Sequence, residues 1–341
     1  GATDCTGRPG WEKARLLPAA VLEQGHEGLT GTDAEDSAFS AGQLVGPYLL
    51  EREIGRGGMG EVWLAAREDG QLKRGVALKL PLLNARRSVL VQRFARERDI
   101  LGSLSHPNIA RLYDAGLDPS GQPYLALEYV EGQAITSYCT QHALDSSARV
   151  QLLRQVLGAV QYAHANLVIH RDLKPSNVLV TAGGQAMLLD FGIAKLLQDD
   201  QAEADETELT RIGGRALTLS YAAPEQISGA PVSTATDVYA LGALMFELLV
   251  GQRPFTGNRH EIERAILADE PPHPAALPSD LATIVLKALK KRPEERYATA
   301  DALSADLGRW LRHEAVLAQP DRWFYRSRKF VRRHRPVSYT H

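Results

Sequence analysis

A run of closely spaced glycines constrains the fold of this chain more than any other feature. The stretch IGRGGMGEVWLA, from Ile54 to Ala65, contains four glycines within six positions. Because glycine has no Cβ, the backbone N–H groups of such a run can approach a phosphate closely. Val62, Trp63 and Leu64 follow the run and favour a strand. The glycines are therefore predicted to form the tip of a β-hairpin, unlike the helix-capping loop of a dinucleotide-binding fold. A P-loop is excluded because no Gly-Lys-Ser/Thr closes the run.

The lysine of the next apolar segment can supply a cation for the same phosphates. The segment VALK, from Val76 to Lys79, is predicted to be the following strand, with Lys79 at its end. An ammonium group in a partly closed cleft needs an anionic partner, because its pKa otherwise falls. The expected partner is Glu97, in the segment RFARE on an intervening helix.

Two later segments carry oxygen ligands and a candidate base. The segment VIHRDLKPSNVLV places Asp172 and Asn177 on one loop between apolar residues, and LLDFGIA follows with Asp190. Mg²⁺ prefers a few protein oxygens together with phosphate oxygens. Asp172 can also orient a hydroxyl group and accept its proton. These residues therefore predict a magnesium–nucleotide site with a general base beside it.

The order of the predicted elements indicates an α+β chain with two lobes. Residues 1–44 are rich in small and acidic residues without periodicity and are expected to be disordered. Short β-like runs with one helix then form a small lobe, about 45–127, and mostly helical segments form a larger lobe, about 131–312. Residues 45–312 are the predicted folded domain, and 313–341 form a basic, aromatic tail.

Two helices of the larger lobe are distinctive in sequence. SSARVQLLRQVLGAVQYAHAN is amphipathic, and its expected N-cap is Ser146 or Ser147. TDVYALGALMFELLVG is apolar on almost every side and is expected to be buried, with Gly251 as its C-cap.

Composition limits the classes of function. A 44% hydrophobic share is ample for a core, and a net charge of −2 does not indicate nucleic-acid binding. The two cysteines, Cys5 and Cys139, cannot form a disulfide framework and fit a reducing compartment. No apolar run approaches the roughly 18 residues that span a bilayer, and no secretory signal is recognisable. The chain as given is expected to be soluble and cytoplasmic.

From about Tyr48 to Leu311 the sequence resembles the eukaryotic-type protein kinases, and most closely the bacterial serine/threonine kinases. The resemblance rests on GRGGMGEV, VALK, HRDLKPSN, DFG and AAPE, and RFARERDILGSLSHPNI and DVYALG extend it. It implies a bilobal α+β protein-kinase fold, with a small antiparallel β-sheet lobe carrying one helix and a larger, mostly helical lobe. It also implies transfer of the γ-phosphate of ATP, with Mg²⁺ or Mn²⁺, to Ser or Thr hydroxyl groups of protein substrates.

The resemblance assigns four catalytic roles. Asp172 would be the catalytic base, and Lys174 would steady the γ-phosphate. Lys79 would contact the α- and β-phosphates while paired with Glu97. His170 is expected to be a packed, hydrogen-bonded structural residue.

The resemblance also implies the residues that bind the nucleotide and the metal. Glycines would cover the phosphates, apolar side chains would enclose the adenine, and the backbone after the last strand of the small lobe would bind its edge. The nucleotide-binding residues would be Ile54, Gly55, Gly57, Gly58, Gly60, Val62, Ala77, Lys79, Glu128, Val130 and Leu179. The metal ligands would be Asn177 and Asp190.

Two features match serine/threonine kinases in particular. Lys174 lies two residues after Asp172, and Thr218, three residues before Tyr221, matches the threonine that contacts the aspartate and lysine of the catalytic loop. One departure is Leu217, where a glycine is usual, which leaves the fine structure of the substrate-docking segment open.

Two contacts are expected to support the architecture. Glu225 of the APE motif should form a buried ion pair with Arg296 of RPEERY. Asp237 should brace the backbone of the catalytic loop.

A regulatory site is expected in the acidic segment between DFG and APE. This segment contains Thr207 and Thr210, and Arg171 places a cation beside the catalytic aspartate. We expect one of the threonines to be autophosphorylated and to dock on Arg171, ordering the segment. The alternative is a solvated loop with unmodified threonines.

The tail admits three interpretations. In RWFYRSRKFVRRHR, seven Arg or Lys residues interleave with aromatic residues. A solvated charge run and a nucleic-acid-binding segment are alternatives, and nucleic acid is not an expected partner. We favour a cytoplasmic segment next to a membrane span, which would make the chain the cytoplasmic domain of a membrane-anchored kinase. Self-association for autophosphorylation in trans is a further expected partnership.

Two other functions fit the motifs less well. A pseudokinase usually lacks the lysine or one of the aspartates, whereas Lys79, Asp172 and Asp190 are all present. A small-molecule kinase of the aminoglycoside type usually lacks a DFG-to-APE segment, which here runs from Asp190 to Glu225.

Overall fold

A computed structural model describes residues 38–57, 60–69, 74–81, 102–190 and 219–319. The predictions that concern Gly58, Glu97, Thr207, Thr210 and Thr218 lie outside these residues, as does the tail from residue 320 onward.

The small lobe is built on an antiparallel sheet. Its strands are β1 Leu44–Val45, β2 Tyr48–Gly57, β3 Gly60–Arg67, β4 Val76–Pro81, β5 Leu112–Leu117 and β6 Pro123–Glu128. They lie in the order β1-β2-β3-β4-β6-β5. Alternating residues Val76, Leu78 and Leu80 are fully buried on one face of β4, where they pack with residues such as Trp63.

The glycine run lies at a hairpin, as the sequence predicts. Gly57 at the end of β2 pairs with Gly60 at the start of β3, and Gly60 also pairs with Pro81 of β4. Gly60 has φ of +131°, and a Cβ there would lie 2.1 Å from the carbonyl oxygen of Leu80. This position therefore requires glycine, because its φ is positive and the backbone of β4 lies where a Cβ would be.

The segment before β1 differs from the expected disorder up to residue 44. The backbone N–H of Ala38 donates to Oε1 of Glu61 at 3.3 Å, and Phe39 packs against the buried face of the sheet. Gly42 N–H donates to the carbonyl of Leu50 at 2.8 Å. Residues 38–44 therefore lie against the small lobe because one aromatic side chain and backbone pairing anchor them.

The larger lobe is mostly helical, and its core lies around the helix Thr234–Val250, α4. Helix α4 packs against α2 (Ser146–Ala165), α6 (Ser279–Ala288) and α7 (Ala300–Leu311), and most of its residues are buried. Gly251 follows it in the left-handed region, with φ of +86°, which confirms the predicted C-cap. The helices are α1 Ile135–Gln141, α2 Ser146–Ala165, α3 Pro224–Ser228, α4 Thr234–Val250, α5 Arg259–Ala268, α6 Ser279–Ala288 and α7 Ala300–Leu311. Short 3₁₀ turns occupy Pro175–Asn177, Leu219–Tyr221 and Pro293–Glu295.

The predicted N-cap of α2 was wrong. The side chain of Asp145 accepts the backbone N–H of Ala148 at 2.8 Å, and Asp145 itself has extended backbone angles. Ser146 is already the first helical residue. Asp145 therefore caps the helix, because the helix begins one residue earlier than a serine cap would require.

A second sheet, which the sequence did not indicate, carries the loops of the site. Its strands β7 Gly132–Ala134, β8 Val178–Thr181 and β9 Ala186–Leu188 lie in the order β7-β8-β9. Backbone hydrogen bonds join Leu188 to Asn108 and Ala110, just before β5. The ends of β8 and β9 thereby place the segments around residues 177 and 190 beside the small lobe.

The chain after α7 is attached to that helix. Both carboxylate oxygens of the fully buried Asp306 accept backbone N–H groups, from Leu317 at 2.6 Å and from Ala318 at 2.9 Å. Among the described residues, no helix is long and apolar enough to cross a membrane.

Candidate active site

The backbone of the catalytic loop is hydrogen-bonded to Asp237, in the first turn of α4. Its fully buried carboxylate accepts the backbone N–H groups of His170 at 2.8 Å and Arg171 at 2.9 Å. The Nε2–H of His164, near the end of α2, donates to the same carboxylate at 2.7 Å. The prediction that Asp237 braces the catalytic loop is confirmed.

His170 is a buried neutral imidazole in the centre of the loop. Its Nε2–H donates to the carbonyl of Leu189 at 3.0 Å, so Nδ1 is left to accept the backbone N–H of Asp172 at 3.3 Å. Burial lowers the pKa of His170, because the charged imidazolium would lose its hydration. These contacts agree with the predicted structural role, and they join the strand end at Leu189 to the candidate base.

Asp172, Lys174 and Asn177 form one compact cluster. The Lys174 ammonium lies 3.0 Å from Oδ2 of Asp172. The Asn177 amide group donates to the Asp172 backbone carbonyl at 2.8 Å and to Oδ2 at 3.2 Å. The carboxylate of Asp172 is 9% exposed and is therefore held in one orientation inside a cleft.

Lys79 and Asp190 form an ion pair between the lobes. The Nζ of Lys79 on β4 contacts Oδ2 of Asp190, which follows β9, and the Lys79 side chain is 6% exposed. Among the described residues, this is the contact that satisfies the ammonium group of Lys79. The expected pairing of Lys79 with Glu97 lies outside the described residues.

Asp190 and Asn177 offer oxygens that suit a divalent cation. Oδ1 of Asp190 is buried and has no hydrogen-bond partner among the described residues. The Nδ2 of Asn177 is occupied by Asp172, which leaves its amide oxygen available. A buried carboxylate oxygen without a partner is costly unless a cation or a ligand completes it. The two side chains therefore fit the predicted metal-binding role.

Three strands bring together part of the predicted nucleotide site. Gly55 on β2 pairs with Val62 on β3, and Val62 pairs with Lys79 on β4. Ala77 lies two residues before Lys79 and therefore on the same face of the sheet. Val62 and Ala77 are only half-buried although they are apolar. A strip of apolar surface therefore lies beside the ammonium group of Lys79.

The other predicted nucleotide-binding residues lie on both sheets and on the linker between them. Glu128 ends β6, and Val130 lies in the short linker to β7. Leu179 lies on β8 and pairs with Ala134, while Ile54 lies half-buried on β2.

The glycines at the hairpin differ in what the fold requires of them. A Cβ on Gly57 would meet no described atom within 4 Å, and a Cβ on Gly55 would meet only the Cβ of Val62 at 3.9 Å. The folded chain thus has room for side chains at both positions, in contrast to Gly60. Glycine at these two positions fits a surface that a ligand approaches closely.

Arg171 and Asp190 have strained backbone conformations. Arg171 has φ of +65° and Asp190 has φ of +47°, in the left-handed region that residues with a Cβ rarely adopt. Such a conformation costs about 1–2 kcal/mol. Both residues adjoin the cluster of charged side chains, so part of the backbone strain in the described residues lies at the candidate site.

The APE motif is anchored in the core. The carboxylate of Glu225 pairs with the guanidinium group of Arg296 at 2.7 Å, as predicted, and both side chains are buried. This pair joins α3 to the segment that precedes α7.

Comparison with known protein families decides which family these features belong to. The family model of the protein kinase domain matches residues 48–307. The chain belongs to the protein kinase domain family. The bilobal α+β fold that the sequence predicts is thereby confirmed.

Bacterial serine/threonine kinases are among the relatives of this kinase domain. Serine/threonine-protein kinase PrkC of Bacillus subtilis is 35% identical over 273 residues, which are 78% of this chain and 40% of PrkC. Serine/threonine-protein kinase PknB of Mycobacterium tuberculosis is 36% identical over 272 residues, 77% of this chain and 42% of PknB. The chain therefore spans only about two fifths of the length of these curated relatives.

A solved structure supports the same fold. The crystal structure of the Mycobacterium tuberculosis PknI kinase domain has a TM-score of 0.60 and 27% sequence identity to this chain. The similarity covers 80% of this chain and 98% of that domain.

Two residues of the kinase site were missed in the sequence. His164 donates a hydrogen bond to Asp237. The sequence feature that could have indicated this role is its position as a polar residue in the last turn of an otherwise apolar helix face. Gln226 directly follows the APE motif, and its amide group donates to the carbonyl of Arg171 at 2.9 Å. The sequence feature that could have indicated this role is a glutamine at the third position of a short helix, where the side chain can form a hydrogen bond with the backbone of the N-cap residue.

Proposed function

We propose that this chain is the catalytic domain of a serine/threonine protein kinase, which transfers the γ-phosphate of ATP to Ser or Thr hydroxyl groups of proteins. The observation that carries the proposal is the closeness of the Lys79–Asp190 pair to the Asp172–Lys174–Asn177 cluster. The backbone N–H of Leu189, next to Asp190, donates to the carbonyl of Asn177 at 2.8 Å and joins the two groups. The kinase relatives support the same activity.

Asp172 is the proposed base for the substrate hydroxyl. Its carboxylate is oriented by the Asn177 amide and contacts the ammonium group of Lys174. A hydroxyl group that donates to this carboxylate would be held for in-line attack on the γ-phosphate. Its proton would pass to Asp172 as the new P–O bond forms and the bond to the leaving ADP breaks. Lys174, whose ammonium group lies 3.0 Å from Oδ2 of the base, would contact the transferred phosphate as well.

Lys79 and the glycine hairpin are the proposed phosphate-binding elements. The Lys79 ammonium would contact the α- and β-phosphates, and the N–H groups near Gly55 and Gly57 would face phosphate oxygens. Asn177 and Asp190 are the residues that would hold the metal. When bound, Mg²⁺ or Mn²⁺ would neutralise charge on the phosphates.

The adenine site is proposed where the two lobes meet. Val62 and Ala77 would cover the base from the small lobe, and Leu179 would support it from β8. Backbone groups between Glu128 and Val130 would bind the polar edge of the adenine. The partial exposure of these apolar side chains supports this role.

The regulation and the partners of the chain are proposed from its arginine, threonine and basic-tail residues. Arg171 is the proposed docking site for a phosphate on Thr207 or Thr210, and Thr218 would position the substrate. Self-association would allow phosphorylation in trans. The basic tail would lie next to a membrane and place the domain at its cytoplasmic face.

The experiment is phosphate transfer from γ-labelled ATP, with Mg²⁺ or Mn²⁺, to the chain itself and to a generic basic protein. Asp190→Asn and Asp172→Asn would run alongside the wild type, with Asp301→Asn on the exposed face of α7 as the matched control. We expect label on Ser or Thr by phosphoamino-acid analysis, lost in the two site variants and kept in the control. Absence of label in the wild type despite measurable ATP binding would overturn the proposal in favour of a pseudokinase.

A further inference from the structure

The peptide units on both sides of Arg171 are held by hydrogen bonds from separate parts of the large lobe. Its N–H donates to Oδ1 of Asp237 at 2.9 Å. Its carbonyl accepts from Nε2 of Gln226 at 2.9 Å. Arg171 has φ of +65° and directly precedes Asp172. An unfavourable backbone conformation persists only where its surroundings hold it, and these two bonds do so.

Gln226 is itself held in place from two directions. Its Oε1 accepts the backbone N–H of Ala223 at 3.0 Å, while its Nε2 reaches Arg171. The preceding residue, Glu225, is fixed by Arg296 and by the hydroxyl of Thr236 at 2.8 Å. Because Glu225 is fixed, the backbone of Gln226 is fixed as well, and its amide group joins the start of α3 to the catalytic loop.

The chemistry of this bridge needs a neutral amide. One end must accept an N–H and the other must donate to a carbonyl, and glutamine does both. A glutamate would keep the bond to Ala223 but would place a second acceptor against the Arg171 carbonyl. The two functions of the side chain, capping α3 and holding Arg171, can therefore be separated by one substitution.

We infer that Gln226 is a positioning residue for Asp172, acting through the left-handed peptide at Arg171. Without the donor, the Arg171 carbonyl loses this hydrogen bond and the peptide can relax toward ordinary backbone angles. Because Asp172 is the next residue, its carboxylate moves with that peptide. Small displacements of a base lower the rate without weakening nucleotide binding. This inference rests on the proposed role of Asp172 as the catalytic base.

The test compares Gln226→Glu and Gln226→Met with the wild type, and Gln151→Glu on the exposed face of α2 controls for added charge. Steady-state kinetics would measure kcat and the KM for ATP, and hydrogen exchange would follow the amides of residues 170–173. We expect Gln226→Glu to lower kcat at least fivefold with KM for ATP within twofold. We also expect faster exchange in residues 170–173 and no change in α4. Gln226→Met should lower kcat similarly and also lower the melting temperature, since it removes the cap as well.

Several results would overturn the inference. Wild-type kcat in Gln226→Glu would do so, as would a lower kcat with unchanged exchange in residues 170–173. An equal loss in Gln151→Glu would attribute the effect to charge alone. If the wild type transfers no phosphate, the proposed function fails, and the exchange measurement still decides whether Gln226 holds the loop.

Discussion

Glu225 and Arg296 form a bidentate ion pair inside the larger lobe. Nη1 donates to Oε1 at 2.7 Å and Nη2 donates to Oε2 at 2.8 Å. The hydroxyl of Thr236 also donates to Oε1, and the remaining guanidinium donors reach backbone carbonyls, including those of Lys290 and Ala235. Because every strong donor and acceptor of the pair is used, removing one partner leaves a buried charge uncompensated.

Arg296→Met is expected to lower the free energy of unfolding by about 3–5 kcal/mol. The cause is the carboxylate of Glu225, which would remain buried without its cation. Urea denaturation measures the change. The double variant Glu225→Gln with Arg296→Met should lose clearly less than the sum of the single losses. Strict additivity would contradict the coupling of the two residues.

Acid should weaken the fold through Glu225. Burial alone would raise the pKa of this carboxyl, but the hydrogen bonds and charge of Arg296 outweigh it and hold the pKa below its usual 4.5. A lowered folded-state pKa contributes stability above the unfolded value, and this stability is lost as the pH falls through the folded pKa. Denaturation curves between pH 6 and 3 should show this loss. Glu225→Gln should show a shallower dependence.

A second pH dependence is expected from His170. Burial lowers its pKa from the usual 6.5, so below that pH the unfolded chain binds a proton that the folded chain does not. Stability should therefore decrease as the pH falls from about 7 to the lowered folded pKa. Gln at this position can still donate to Leu189 and does not titrate. A His170→Gln variant with the same slope as the wild type in this range would refute the assignment.

Alanine substitutions should separate two kinds of glycine at the hairpin. Gly60→Ala is expected to destabilise the fold by about 1–3 kcal/mol, because of its positive φ and the clash with the Leu80 carbonyl. Gly57→Ala should leave stability almost unchanged and raise the KM for ATP several-fold. Thermal unfolding and steady-state kinetics measure the two effects. A Gly57→Ala variant that lost stability but kept the wild-type KM for ATP would contradict this distinction between the two glycines.

Lys79→Met should lower kcat/KM for phosphate transfer by about 10²–10³. The substitution removes the cation proposed for the phosphates and breaks the pair with Asp190. Lys290→Met is a matched control, because its pair with Glu270 spans 3.4 Å at the surface and contributes little. Both variants would be compared by initial rates and by thermal unfolding. A loss of less than tenfold in a folded Lys79→Met would contradict the role of this lysine.

The fold class and most of the candidate site could be predicted because the chemistry lies in contiguous motifs. Asp172, Lys174 and Asn177 belong to one short loop, so their closeness in sequence already brings them near one another. The hairpin at Gly57 and Gly60 was predictable for the same reason, since strand preference and glycine act over a few residues.

Other features could not be predicted, because the local sequence preferences that indicate them are weak. Strand β7 has three residues, Gly132–Ala134, and becomes a strand only by pairing with β8. Asp145 and Ser146 are both good helix caps, and the exact start of α2 depends on its packing.

The sequence by itself determined which chemical groups the chain carries and in what order: the glycine hairpin, the lysine of β4, the catalytic-loop cluster and the later aspartate. Tertiary structure decided which of them meet. Lys79 and Asp190 are 111 residues apart and form a pair only once both lobes have folded. The left-handed backbone of Arg171 likewise depends on Asp237 and Gln226, which lie 66 and 55 residues away. No local preference favours that conformation, and only contacts made after folding offset its cost.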